Sequence, residues 1–158
     1  MQNLNVNIQK LTPEATIPSY AKEGDAALDL TATRKWYDEH GNVCYGTSLA
    51  IEIPEGFVGL LFPRSSNTKK GLILGNSVGV VDSGYRGEVI FKFKPTIYYT
   101  MYDSTDFVDV PLHDINNYEV GERVGQIIIM PYPKINFVEV DQLSVSNRGN
   151  AGFGSTGK

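Results

Sequence analysis

Apolar side chains along this chain alternate with polar ones instead of recurring at helical spacing. Leu49, Ile51 and Ile53 fall on one face of an extended segment, with Ala50 and Glu52 on the other. Val89, Phe91 and Phe93 oppose Lys92 and Lys94 in the same way, and Val6, Ile8 and Leu11 form a third run. No segment carries three turns of helical periodicity. Turn signals at Glu39-His-Gly-Asn42, Pro54-Glu-Gly56, Asp82-Ser-Gly84 and Glu119-Val-Gly121 separate the runs at short intervals. Many short, half-buried strands joined by turns predict an all-β sandwich or barrel.

Two segments depart from the alternation. Residues 124–130 are apolar on both faces except for Gln126, which predicts either a central sandwich strand or one covered by another subunit. Residues 91–118 include Tyr98, Tyr99, Tyr102 and Phe107 with little glycine, and predict an extended loop or hairpin near 95–118. The expected organisation is a β-domain over 1–147 and a flexible, glycine-rich C-terminal arm over 148–158.

Composition narrows the class. The chain has 158 residues, 41% apolar and 20% charged, which suits one globular domain with its own core. A net charge of −4 argues against direct nucleic-acid binding, which depends on neutralising many phosphates. The 16 glycines and 8 prolines agree with a turn-rich fold. A single cysteine, Cys44, excludes an internal disulfide and a cysteine-built metal site, and reads as a small buried hydrophobe. His40 and His113 have no zinc-ligand spacing. No apolar run is long enough to cross a bilayer and no signal-peptide pattern opens the chain, so a cytoplasmic location without membrane association is expected.

Candidate chemistry gathers in a few segments. The tail Arg148-Gly-Asn-Ala-Gly-Phe-Gly-Ser-Thr-Gly-Lys158 mixes glycines with Arg148, Phe153, Ser155 and Thr156. Glycines let amide N–H groups converge on an anion, hydroxyls add donors, a guanidinium grips phosphate, and Phe153 offers a flat face for a base. Most glycine-rich ends simply fray; this mixture points to a lid. Its partial Walker A pattern lacks the hydroxyl residue and the helix that must follow the lysine, and is rejected. Asp82 ends the apolar run Val80-Val81 at a turn, beside Tyr85. A carboxylate there ordinarily caps its own turn, but a flanking aromatic can wall a pocket. Arg64-Ser65-Ser66 pairs a guanidinium with two hydroxyls, and Asp25 and Asp29 are either solvated turn acids or oxygen ligands for a hard cation.

In order, the segments 24–30, 63–71, 75–89, 121–126 and the glycine-rich tail resemble the five motifs of the trimeric dUTPase family, including phage-type members. The resemblance implies a jelly-roll-like β-barrel, a homotrimer with sites at subunit interfaces, and Mg²⁺-dependent hydrolysis of dUTP to dUMP and pyrophosphate. That reaction supplies dUMP for thymidylate synthesis and keeps uracil out of DNA. It implies Asp82 as the base for the attacking water, and Tyr85 against the deoxyribose. Asn76 and the backbone at Val80 and Val81 would bond uracil. Arg64, Ser65, Ser66 and Gln126 would contact phosphates. Asp29 would meet the waters of the metal. Phe153 would stack on uracil, with Arg148, Gly154, Ser155 and Thr156 on the terminal phosphates.

Some positions depart from the family pattern. Ala27 and Ala151 stand where glycine is common, Gly125 where alanine is common, and Ser66 where glycine is common. The 95–118 extension resembles an insertion in some phage relatives, which implies a surface for a protein partner. Two alternatives follow from the same fold: a dCTP deaminase-like enzyme, and a nucleotide-switched regulator that binds another protein. The deaminase glutamate would fall ten residues past Asp82, where this chain has Lys92.

Overall fold

The computed structural model describes residues 3–96, 99–102, 106–109 and 116–152, the two short segments by backbone alone. Among the described residues eleven strands form: β1 Asn7–Lys10, β2 Leu28–Thr31, β3 Arg34–Tyr37, β4 Val43–Glu52, β5 Phe57–Phe62, β6 Leu72–Leu74, β7 Gly79–Val81, β8 Glu88–Pro95, β9 Tyr99–Tyr102, β10 Asp106–Asp109 and β11 Arg123–Pro131. The only helical piece among the described residues is a single 3₁₀ segment, Ser65–Lys69. All strand pairs are antiparallel.

One sheet runs β1-β4-β8-β6 with β3 also on β4, a second runs β2-β11-β5-β7, and β9 and β10 form a separate hairpin. The two larger sheets close a jelly-roll-like β-barrel over one core. Tyr45, Phe91, Phe93 and Val89 enter from the first sheet, and Leu30, Leu61, Val81, Val124 and Ile127 from the second. The alternation predicts this accurately for β8, where Val89, Phe91 and Phe93 are buried and Lys92 and Lys94 exposed. In β4, Ala50 is buried along with Leu49 and Ile51, because a register shift between Gly46 and Ala50 turns the strand at Ser48, whose φ is 52°. Leu11 is exposed, one residue past the end of β1.

Residues 124–130 lie in β11, a central strand of its sheet flanked by β2 and β5, with Val124 and Ile127 in the core, Ile128 half-buried and Met130 exposed. Within it, Gly125 faces the Phe91 ring so closely that an added Cβ would overlap it. A larger Phe91 and a smaller Gly125 therefore share one volume.

Phe91 and Phe93 are core residues of β8, and Tyr118, at the end of the 95–118 segment, is buried in the same core. Tyr118 is anchored by reciprocal bonds with Tyr45, whose hydroxyl donates to the Tyr118 carbonyl at 3.0 Å and accepts from its N–H at 3.1 Å. Toward the C-terminus, the last strand among the described residues stops at Pro131. Residues 132–147 form no strand and leave their apolar side chains uncovered, including Phe137 at 93% and Leu143 at 88% exposure. Among the described residues no helix is long and apolar enough to cross a membrane.

Candidate active site

Register fixes where each candidate group emerges. Gln126 pairs with Asp29 on one side and Phe62 on the other. This brings β2, β11 and the exit of β5 together at one end of the second sheet. Arg64 and Ser65 leave β5 there, and the 3₁₀ turn holds them. The result is a cleft of about 940 Å³ lined by Asp29, Arg64, Ser65, Arg123 and Gln126, with a rim from 16–19, 21–22 and 25–27.

Asp29 is the hub of this cleft. Its Oδ1 accepts from Arg64 Nε at 2.7 Å and its Oδ2 from Arg123 Nη1 at 3.1 Å. One carboxylate thus aligns two guanidinium groups, and the local charge stays positive. Arg64 Nη1 also donates to Ser66 Oγ at 3.2 Å, so Ser66 braces Arg64 from outside the cleft lining. Gln126 Nε2 gives one proton to the Pro63 carbonyl at 2.9 Å and keeps a second for another acceptor. The chemistry this end can perform is recognition of a multiply charged anion.

Sequence reasoning passes over Arg123, although it lies inside the segment 121–126. The available signal is the i, i+3 spacing of Arg123 and Gln126 across the bulge at Arg123/Gly125, which lets both reach one cleft. Asp25 also lines the cleft, with Oδ2 accepting from the Lys22 N–H at 2.8 Å.

The second group of residues emerges elsewhere. β7 runs antiparallel to β5, with Gly79 opposite Leu61 and Val81 opposite Gly59. Asp82 therefore leaves the sheet at the Phe57 end of β5, while Arg64 leaves at the Phe62 end. Asn76, Val80, Asp82 and Tyr85 are all exposed, and none lines the cleft. Val81 does not flank Asp82 with its side chain as the sequence suggests: that side chain is in the core, and only its backbone faces outward. Val80, at 63% exposure, presents an apolar surface beside it. Tyr85 is fixed by its hydroxyl, which donates to the Glu88 carbonyl at 3.0 Å. Gly87 permits this: a Cβ there would collide with the Tyr85 ring.

Arg148 lies in an exposed turn, with Nε donating to the Ala151 carbonyl at 3.0 Å, away from the cleft lining. Phe153, Gly154, Ser155 and Thr156 lie outside the described residues. Cys44 is buried, and burial, followed by the nearby Asp38 carboxylate, pushes its thiol up from the ordinary value, so it stays a protonated packing group. Lys92 points away from the core, with Nζ 3.3 Å from Asp38 Oδ2.

Fold and geometry together define an all-β protein with a guanidinium-lined cleft at one end of a sheet and the exposed Asp82–Tyr85 loop at the other. The family model for dUTPase matches residues 13–100. Deoxyuridine 5'-triphosphate nucleotidohydrolase of Corynebacterium diphtheriae is 36% identical over 157 residues, covering 96% of this chain and 92% of that one. Its counterpart in Clostridium tetani is 33% identical over 162 residues, covering both chains fully at 100%. The dUTPase of Staphylococcus bacteriophage 80alpha with dUPNHPP superposes with a TM-score of 0.78 at 27% identity, covering 99% of this chain and 100% of that one. The chain belongs to the dUTPase family.

Proposed function

We propose that this chain hydrolyses dUTP to dUMP and pyrophosphate, at sites completed by a second copy of itself in a homotrimer. The observation that carries this reading is the positive cleft over Asp29, in a chain whose relatives along its whole length are dUTP nucleotidohydrolases. The uncovered apolar side chains after Pro131 favour assembly, since contiguous exposed apolar surface on this scale marks an interaction site.

In this reading Arg64, Arg123, Ser65 and Gln126 bind the triphosphate and neutralise charge that builds in the transition state. Asp82 of another copy accepts the proton of the attacking water at the α-phosphate. Asn76 and the Val80 and Val81 backbone read the uracil edge, where a cytosine would leave polar groups unpaired. The pinned Tyr85 ring excludes a ribose 2′-hydroxyl. Arg148, Phe153, Gly154, Ser155 and Thr156 close over the nucleotide from the tail.

The donor set also fits Mg²⁺. Among the described residues no three His, Cys, Asp or Glu side chains cluster. One carboxylate with lone pairs to spare, Asp29, suits an ion that keeps its waters and rides on substrate phosphates. When bound, the ion supplies further neutralisation of phosphate charge.

The deaminase alternative is disfavoured by Lys92, which stands at the position of the required glutamate and is engaged with Asp38. A regulatory reading remains compatible with catalysis. The 80alpha dUTPase is one of the phage dUTPases reported to control transfer of virulence genes by a proto-oncogenic G protein-like mechanism. In this chain the β9–β10 hairpin stands apart from both main sheets and offers a site within 95–118 for a protein partner. The deciding experiment is pyrophosphate release with Mg²⁺ from dUTP, dCTP and UTP. Release from dUTP alone supports the proposal, ammonia from dCTP supports a deaminase, and binding without turnover supports a regulator.

A further inference from the structure

We propose that Arg86, which the reaction above leaves unused, is a positioning residue that clamps the loop carrying Asp82 and Tyr85. The inference rests on the dUTP-hydrolysing reading of that loop. Little else holds it on this side. Asp82, Gly84, Tyr85 and Arg86 are exposed, and one turn bond, from the Tyr85 N–H to the Asp82 carbonyl at 3.1 Å, closes it.

Arg86 folds back across that turn. Its Nη1 donates to the Ser83 carbonyl at 2.7 Å and to the Tyr85 carbonyl at 2.9 Å. Its Nη2 reaches Glu52 Oε1 at 2.9 Å. Glu52 is the last residue of β4, and its Oε2 accepts from Asn7 Nδ2, its ladder partner on β1, at 2.8 Å. Contact therefore runs from the first sheet, through one guanidinium, to a loop at the end of β7 in the second. Asn7 and then Arg86 hold the Glu52 carboxyl below its ordinary range, so the anchor is ionised at neutral pH.

A guanidinium suits this task because its donors sit in a rigid planar fork and can serve two carbonyls and a carboxylate together. An ammonium has three donors but all on one nitrogen, so it cannot span the separated carbonyls and carboxylate from a fixed plane. The far end of the loop is tied separately, by Tyr85 to the Glu88 carbonyl. With both ties the loop has one geometry, which sets the reach of Asp82 and the tilt of Tyr85 at once. An exposed ion pair adds little to stability, so loss of the clamp shows first in kinetics.

Two variants separate the parts. Arg86→Lys keeps the charge and loses the fork, while Glu52→Gln keeps the shape and loses the anchoring charge. Steady-state pyrophosphate release from dUTP and from UTP is measured for both variants and the wild type, with thermal melting alongside. The clamp predicts that kcat on dUTP falls about tenfold or more in Arg86→Lys and by less in Glu52→Gln. It also predicts that the preference for dUTP over UTP falls in the same order, with melting nearly unchanged. Folded variants with kcat and preference both unaltered overturn the inference, as does a loss of kcat with preference intact. If Arg86→Lys does not fold, the Glu52→Gln result decides alone. A wild type inactive on dUTP overturns the underlying reading instead.

Discussion

Asp82 and Arg64 leave the same sheet at opposite ends of β5. The β5–β7 register puts Asp82 beside the Phe57 end, and the chain from Val58 to Arg64 is extended. At roughly 3.3 Å per residue, the two emerge about 20 Å apart, well beyond the span of a triphosphate. That separation favours a site shared between two copies over one built within a single chain. Two copies, with Asp82 of one facing Arg64 of the next, solve the problem.

Asp82→Asn is expected to retain nucleotide affinity and lose about 10²–10⁴-fold in kcat, since an amide cannot take the proton from water. Binding of a non-hydrolysable dUTP analogue, measured beside turnover, checks both halves of that expectation. Unchanged turnover would remove Asp82 from its role.

Asp29→Asn leaves Arg64 and Arg123 without the anion that aligns them. The expected outcome is a fall of about tenfold to a hundredfold in kcat/KM for dUTP with the fold intact. Arg123→Gln should follow in the same direction, by less, in steady-state assays. An Arg123 variant with wild-type constants would make that side chain a bystander.

Gly125→Ala should destabilise the barrel by about 1–3 kcal/mol, because the new methyl meets the buried Phe91 ring. Adding Phe91→Leu should recover much of the loss. Denaturant unfolding of the two single variants and the double variant measures the coupling, and additive effects would contradict it.

Acid stability should depend on Asp38. Asn42 first, with His40 and Lys92 adding to it, holds the Asp38 carboxyl far below the usual range. A depressed carboxylate stabilises the fold fully above its unfolded value and loses that contribution as pH falls toward the folded one. Between about pH 5 and pH 2, melting of the wild type should therefore drop more than that of Asp38→Ala. Parallel curves would remove Asp38 as a source of the pH dependence.

Much of this was legible in the sequence, for physical reasons. Period-two alternation located β8 because one face of it is core and the other solvent. Motif residues Asp29, Arg64, Ser65 and Gln126 converge because the β2–β11–β5 register aligns them. What alternation cannot convey is register itself, and so the separation of Asp82 from Arg64 was invisible. Alternation also says nothing of residues 135–145, whose apolar side chains nothing in one chain covers. Arg123 and Arg86 escaped notice because arginines beside turns are common, and only their geometry on Asp29, Ser83 and Tyr85 distinguishes them.

Chain length past β11 gives a further expectation. Truncation after Asn147 should leave an assembled protein with little activity, and truncation after Pro131 should yield a smaller species in solution. Mass measurement by light scattering distinguishes these, and an assembled protein ending at Pro131 would show that the uncovered apolar residues do not hold copies together.

The most direct test of a shared site mixes two defective chains. Asp82→Asn and Arg64→Gln are each expected to be nearly inactive alone. Co-assembled in equal amounts, they should restore about a quarter of wild-type dUTP hydrolysis, because a random neighbour pair carries an intact Asp82 and an intact Arg64 that often. Mixed assemblies that stay as inactive as their parents would place both residues in one chain's own site and contradict the account.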